Sequence, residues 1–258
     1  MPRMSRSPST PPPLVPARTA LFLDVDGTLL EFADHPEAVQ VPAALPGLLQ
    51  ALHARLDGAL ALVSGRTLAQ LDRLFAPLRL PAAGLHGLQV RGRDGMLFEH
   101  LPPLLSHVLA DARTLAARFP GALVEDKGSA LALHWRTADA GTGAADALRQ
   151  FAAAALLQLP GYRLQPGKDV VELRPDGAHK GSAVQALMAS EPFRGREPVF
   201  VGDDVTDEDG FLAAIALGGS GIVVGDRRPT AAGHALRDPA DTLRWLAESA
   251  DESAVMAT

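Results

Sequence analysis

The stretch LFLDVDGTLL, residues 21–30, sets two carboxylates, Asp24 and Asp26, directly behind an apolar run. Extended as TALFLDVDG, it reads as a short buried strand through Ala20, Leu21, Phe22, Leu23 and Val25 that ends at Gly27. Burying one unpaired carboxylate is costly, and a second nearby adds repulsion. In an open α/β sheet such residues fall at the carboxyl end of a strand, where ligands gather. Their two-residue spacing puts both on one side. A calcium loop of the EF-hand type also begins D-x-D, but it needs glycine at its sixth position and glutamate at its twelfth. Leu29 and His35 stand there, so that reading fails.

The rest of the chain repeats the strand-then-helix pattern. Helix-spaced leucines run through 42–56, then come the strand ALALV (59–63), a helix through Leu68, Leu71, Leu74 and Phe75, and a single strand AAGLHGLQV. Apolar strands alternating with helices favour a parallel sheet covered on both faces. After about residue 100 the pattern becomes helix (104–119), hairpin (ALVEDKGSALALHWR, turning at Lys127–Gly128–Ser129), helix (144–158) and hairpin (YRLQPGKDVVELRP). That is an α+β unit. The α/β pattern resumes with a helix from Lys180, the strand EPVFVGDD, a helix over 207–217 and the strand SGIVVG. The expected organisation is a disordered Pro/Ser-rich tail (1–17), a Rossmann-like α/β core (18–101 and 177–258) and an inserted cap (102–176).

Composition narrows the function. The 258 residues include no cysteine, which excludes disulfides, thiolate metal sites and a cysteine nucleophile. Twenty-four basic against 30 acidic residues leave −6, with no basic block to suit nucleic acid. No apolar run approaches the ~20 residues that span a bilayer, and the first residues lack the apolar segment of a secretory signal. A cytoplasmic protein without membrane or nucleic-acid partners is expected.

Four strings carry chemistry. At Asp24 and Asp26 a divalent cation would offset the repulsion, and hard oxygen ligands favour Mg²⁺; a pair of solvated turn carboxylates is the alternative. One carboxylate could attack phosphorus and the other could move protons. GDDVTDEDG (202–210) repeats the strand-end placement with Asp203, a third oxygen ligand, and Asp207 at the edge of the site. Glu208 and Asp209 there read as helix capping. Ser64–Gly65–Arg66 follows a strand and starts a helix, so its hydroxyl and N–H groups can grip a phosphoryl oxygen, although Ser-Gly is also an ordinary helix entry. Lys180 can neutralise charge on a transferring phosphoryl group, or simply face solvent.

In this order the four strings closely resemble the motifs of the haloacid dehalogenase-like phosphatases. The resemblance, over residues 18 to about 247, implies Asp24 as nucleophile, Asp26 as acid/base, Ser64 and Lys180 as phosphoryl binders, and Mg²⁺ on Asp24, Asp26 and Asp203. It also implies that the insert is a C2B-type cap.

In the cap, strand parity puts Glu125 with Lys127, and His134 with Arg136, while Lys168 and Glu172 follow in GKDVVELRP. Leu133, Trp135, Val171 and Leu173 fall on the opposite parity and pack inward. Such a polar face suits a hydroxyl-rich sugar, although many small sheets carry solvated charged faces. GLHG (84–87), VEDKG (124–128), ALHWR (132–136), GKDVVELRP (167–175) and GDDVTDED (202–209) resemble the trehalose-6-phosphate phosphatases. What this implies is hydrolysis of trehalose 6-phosphate to trehalose and phosphate, the second step of trehalose synthesis. The family's substrate contacts carry over to Glu125, Lys127, Lys168 and Glu172, with Arg136, His86, Gly87, Gly65 and Arg66 beside them. Association with a trehalose-6-phosphate synthase is compatible with such a role. His179, just before Lys180, departs from the Asn or other small polar residue expected there. Phosphatases of sucrose phosphate or mannosyl-phosphoglycerate share core and cap type, and a non-catalytic sugar-phosphate sensor is the reading from another class. Because phosphate and sugar ligands lie in different units, closure of the cap over the core is expected.

Overall fold

A computed structural model describes residues 9, 11–12, 14–31, 39–99, 105–127, 130–177 and 179–251. In chain order the elements are β1 (Thr19–Leu23), α1 (Leu45–Arg55), β2 (Leu60–Val63), α2 (Leu68–Leu74), β3 (Ala82–Gly84), β4 (Gln89–Gly92), β5 (Gly95–Glu99), α3 (Leu105–Ala116), β6 (Leu123–Asp126) and β7 (Leu131–His134). They continue with α4 (Ala144–Leu156), β8 (Tyr162–Gly167), β9 (Val170–Pro175), α5 (Lys180–Met188), β10 (Glu197–Gly202), α6 (Glu208–Ala216), β11 (Ser220–Val224), β12 (His234–Leu236) and α7 (Pro239–Ala250). The chain divides into two compact units, Met1–Glu99 with His179–Thr258, and His100–Ala178.

The first unit is an α/β fold around an eight-stranded sheet of order β12-β11-β10-β1-β2-β3-β4-β5. Its strands are parallel from β12 through β3, and β4 and β5 add an antiparallel edge. All five residues of β1 are buried, so both faces of the strand are covered, which explains its unbroken apolar run. Phe22 stacks on Phe193 at 5.4 Å, and Phe200 meets Phe211 edge-on at 5.7 Å. From β1 the chain winds outward through β2 and β3 on one side and returns through β10, β11 and β12 on the other. The strand order therefore reverses between β1 and β10, and the crevice beyond their carboxyl ends is where such sheets bind ligands.

Two sequence expectations change here. AAGLHGLQV is not one strand: β3 ends at Gly84, and β4 returns antiparallel. Leu85, His86 and Gly87 turn the chain with φ of 51°, 55° and 107°. The first two pay the steric cost of left-handed backbone because Leu85 and His86 donate to the carbonyls of Arg66 and Ser64 (2.9 Å each). Gly87 is needed, since a Cβ there would lie 2.9 Å from the His179 carbonyl oxygen. Nor do the described residues of the Pro/Ser-rich tail lie detached. Leu14 is buried in the core, and Trp245 Nε1 donates to the Pro12 carbonyl (3.2 Å), since an apolar side chain gains by leaving water even in a Pro-rich segment.

The second unit is a four-stranded antiparallel sheet, order β6-β7-β9-β8, with α3 and α4 packed on one face. Leu131, Leu133, Val171 and Leu173 join Val108, Ala112, Leu148 and Ala152 in its core. Lys127 follows β6, while Gly128 and Ser129 of the expected turn lie outside the described residues.

Truncating Phe200→Ala removes the ring that fills the space beside Phe211 and Gly210, and is expected to cost ~3–5 kcal/mol. The midpoint of denaturant unfolding checks this; an unchanged midpoint would mean that the β10–α6 packing contributes little.

Candidate active site

Register brings three loops together. Leu23 of β1 pairs with Val201 of β10 and Leu62 of β2, so the chain after β1, β2 and β10 emerges at one edge. Asp24 donates its N–H to the Val201 carbonyl (2.9 Å). Gly27 (φ 87°) then turns the loop back, its N–H meeting the Leu30 carbonyl at 2.7 Å.

The centre of the site is an ion cluster. Lys180, 3% exposed, sends Nζ to Asp24 Oδ1 (2.7 Å) and Asp207 Oδ1 (2.6 Å). Asp207 Oδ2 accepts from the N–H groups of Asp203 (3.0 Å) and Asp204 (2.9 Å). The Thr28 hydroxyl lies 3.2 Å from Asp24 Oδ2 and 3.1 Å from Asp203 Oδ1, one proton serving one acceptor at a time. Asp207 is fully buried, so it sits in the centre rather than at the expected edge. Gly202 makes this packing possible: a Cβ there would fall 2.2 Å from Asp207 Cγ.

His179 takes over helix capping before Lys180. Its Nδ1 accepts from the Ser182 N–H (3.2 Å), while the Ser182 hydroxyl accepts from the His179 N–H (3.1 Å). The imidazole thus performs the acceptor role of an Asn side chain at this position, and the helix still starts with Lys180 in place.

Ser64 is fully buried, its Oγ accepting from the Arg66 N–H at 3.1 Å. His86 packs on Gly65, where a Cβ would come within 2.8 Å of its Nε2. Asp26 does not join the other three carboxylates. Its oxygens sit in the guanidinium fork of Arg66, with Nε to Oδ2 at 2.8 Å and Nη2 to Oδ1 at 2.6 Å. The sequence reading left Thr28 without a role and gave Arg227 none. Arg227 Nε donates to the Asp203 carbonyl (3.0 Å) and its guanidinium pairs with Glu208, bracing the loop from the neighbouring strand turn. Nothing in the local pattern around Arg227 signals this, because it depends on how β11 lies beside β10.

Could these residues hold the expected Mg²⁺? Oxygens of Asp24, Asp203 and Asp207 lie within 4.8 Å of one another. Three carboxylates against one ammonium leave an excess of negative charge. Burial first, and then neighbouring carboxylates, push Asp24 and Asp203 up to about 6 and Asp207 up to about 7. For Lys180, burial works against the charged form, but Asp24 and Asp207 prevail and raise it. A hard divalent cation suits that excess. The two oxygens of Asp207 are already taken by Lys180 and two N–H groups, so Asp24 Oδ2 and Asp203 are the pair best placed for it. Asp26 contributes no carboxylate oxygen to this group.

In the second unit, paired residues share a face: Glu125 lies opposite Ala132, which lies opposite Glu172. His134 Nε2 meets Glu125 Oε2 at 3.0 Å, and Lys127 Nζ lies 3.6 Å from Glu172 and 4.0 Å from Glu125. The His134 hydrogen bond is the main cause holding the Glu125 carboxyl below its usual range. Glu125, Lys127, His134 and Glu172 thus form one polar group. Lys168 stands apart, exposed in the turn between β8 and β9, and Arg136 lies past the end of β7, 3.9 Å from Asp169 of that turn. Parity failed for Arg136 because β7 ends at His134.

At 17% identity and a TM-score of 0.60, the chain shares its fold over 91% of its length with BT1666 from Bacteroides thetaiotaomicron, a phosphatase of the haloalkanoate dehalogenase (HAD) superfamily. A solved trehalose-6-phosphate phosphatase related protein matches with a TM-score of 0.72 and 26% identity, covering 88% of this chain and 94% of that one. The trehalose-phosphatase family model matches residues 22–236, and the chain belongs to that family. It is 42% identical to the trehalose-6-phosphate phosphatase of Escherichia coli over 93% of this chain and 89% of that one. It is also 42% identical to a probable trehalose-phosphate phosphatase of Sinorhizobium fredii, over 88% and 85%. Among the described residues no helix is long and apolar enough to cross a membrane.

The raised carboxylates give a linked expectation. Asp24, Asp203 and Asp207 bind protons more tightly folded than unfolded, so their contribution to stability is full below about pH 4 and is lost as pH rises through 6–7. A cation competes with those protons. Added Mg²⁺ is therefore expected to raise Tm more at pH 8 than at pH 5.5, measured by thermal unfolding with Mg²⁺ or chelator. An equal rise at both pH values would remove the carboxylate cluster as the binding site.

Proposed function

We propose that this protein hydrolyses trehalose 6-phosphate to trehalose and phosphate through an aspartyl-phosphate on Asp24. The observation that carries the reading is Asp24 held by Lys180 at 2.7 Å at the sheet's switch point, in a chain of the trehalose-phosphatase family. An Asp24 oxygen attacks phosphorus while Lys180 neutralises the growing charge and keeps the carboxylate aimed. The Ser64 hydroxyl and the Gly65 N–H receive a phosphoryl oxygen, while the Arg66 N–H holds Ser64 Oγ. Asp26 protonates the departing sugar oxygen, then takes a proton from the water that hydrolyses the aspartyl-phosphate. Asp24 and Asp203 would hold Mg²⁺, which would supply further neutralisation of the phosphoryl charge. Asp207 keeps Lys180 and the Asp203 loop in place.

In this reading residues 18–101 and 177–258 are the phosphatase core, and the 102–176 insert selects the leaving group. Glu125, Lys127 and Glu172 offer acceptors and a donor to sugar hydroxyls, with Lys168 and Arg136 at the margin of that face; His86 and Gly87 belong to the core's rim. A cytoplasmic location completes the proposal.

Phosphate release from a panel of sugar phosphates, with Mg²⁺ or with chelator, tests it. Trehalose 6-phosphate is expected to be the preferred substrate, and preference for another sugar phosphate would sink the assignment. Asp24→Asn should lower turnover by a factor of about 10³ or more while the fold persists; a variant that keeps its turnover would exclude Asp24 as nucleophile. Glu172→Gln is expected to raise KM for trehalose 6-phosphate about tenfold, with little change on p-nitrophenyl phosphate, which lacks the sugar.

A further inference from the structure

Arg66 belongs to the loop read above as a phosphoryl grip, yet its side chain is committed elsewhere. Nε and Nη2 form a two-pronged fork on both oxygens of Asp26, and Arg66 is the one side chain that meets this carboxylate among the described residues. The mount is rigid. The Arg66 N–H donates to Ser64 Oγ (3.1 Å), its carbonyl accepts from the Leu85 N–H (2.9 Å), and Gly84 leaves room for that carbonyl, which a Cβ would approach to 2.9 Å. The guanidinium itself is largely buried, its side chain 11% exposed. Asp26, by contrast, lies three residues past the end of β1, in a loop that does not by itself fix a side chain.

We propose that Arg66 is a positioning residue for Asp26 rather than a ligand of the phosphoryl group, an inference that rests on reading Asp26 as the acid/base. A planar guanidinium meets a carboxylate in one geometry, so the fork sets the direction of both Asp26 oxygens. A proton taken up from solvent on one Asp26 oxygen releases that oxygen from the fork while the other stays held by the remaining N–H, and the freed oxygen delivers the proton to the bridging oxygen as the P–O bond breaks. The contribution of Arg66 then depends on the leaving group. A sugar alkoxide needs that proton; a nitrophenolate departs without it.

The test compares kcat/KM, which reports the steps up to departure of the leaving group, for trehalose 6-phosphate and p-nitrophenyl phosphate. Arg66→Met is expected to lose about 10²-fold on the sugar ester and less than about threefold on the aryl ester. Arg66→Lys, which keeps the charge without the fork, should show the same selectivity with a smaller loss. Arg66→Met added to Asp26→Asn should cost little more on the sugar ester, because both act on one proton transfer. Equal losses on the two esters would place Arg66 on the phosphoryl group and overturn the proposal, and so would a gain on the sugar ester. Melting curves confirm that the variants fold, and Arg66→Lys carries the comparison if Arg66→Met does not. If the wild-type protein ignores trehalose 6-phosphate but cleaves another sugar phosphate, the substrate assignment fails, and the same comparison proceeds on that ester.

Discussion

The Lys180 ammonium, lodged between Asp24 and Asp207 at 2.7 and 2.6 Å, is the contact on which the site depends. It joins the first strand to residues 156 positions later. Without it, two buried carboxylates would face each other uncompensated, and breaking such a buried pair costs ~3–5 kcal/mol. Much of the neighbouring sequence serves this contact: His179 starts the helix that presents Lys180, Gly202 gives Asp207 room, and two N–H groups hold its far oxygen. One cation against three carboxylates still leaves the cluster too negative, which is the physical reason it suits a divalent metal.

The sheet explains why the residues meet. Reversal of strand order between β1 and β10 opens a crevice at one edge, and parallel register sends three loops into it. Fold alone does not decide chemistry. The C-terminal domain of a Candida albicans trehalose synthase regulatory protein shares this fold with a TM-score of 0.69 at 14% identity. The chemistry of this chain must therefore rest on particular side chains, here the cluster around Asp24 and the fork on Asp26.

Legibility varied with how local each signal was. The strands β1, β2 and β10, the helices after them and both hairpins of the second unit were readable, because apolar period and turn residues act over a few neighbours. The AAGLHGLQV segment misled: its apolar run hides a reversal stabilised by carbonyls of another loop, at Ser64 and Arg66. Parity put Glu125 with Lys127, and the fold draws both toward Glu172 and His134, but it overreached at Arg136, which lies past the end of β7. The Pro-rich start looked unstructured, yet Leu14 finds a place in the core.

The sequence by itself determined which groups are available: acids at strand ends, a lysine opening a helix, a serine before a turn. Each follows from local preference and from the cost of placing charge where apolar residues crowd. Only the tertiary structure decided their partners. Asp207 rather than Asp26 completes the carboxylate group, and Arg66 takes Asp26. Spacing along the chain sets which face a side chain occupies, whereas pairing across loops depends on strand register, on the room a glycine leaves, and on where a buried charge finds its counter-charge.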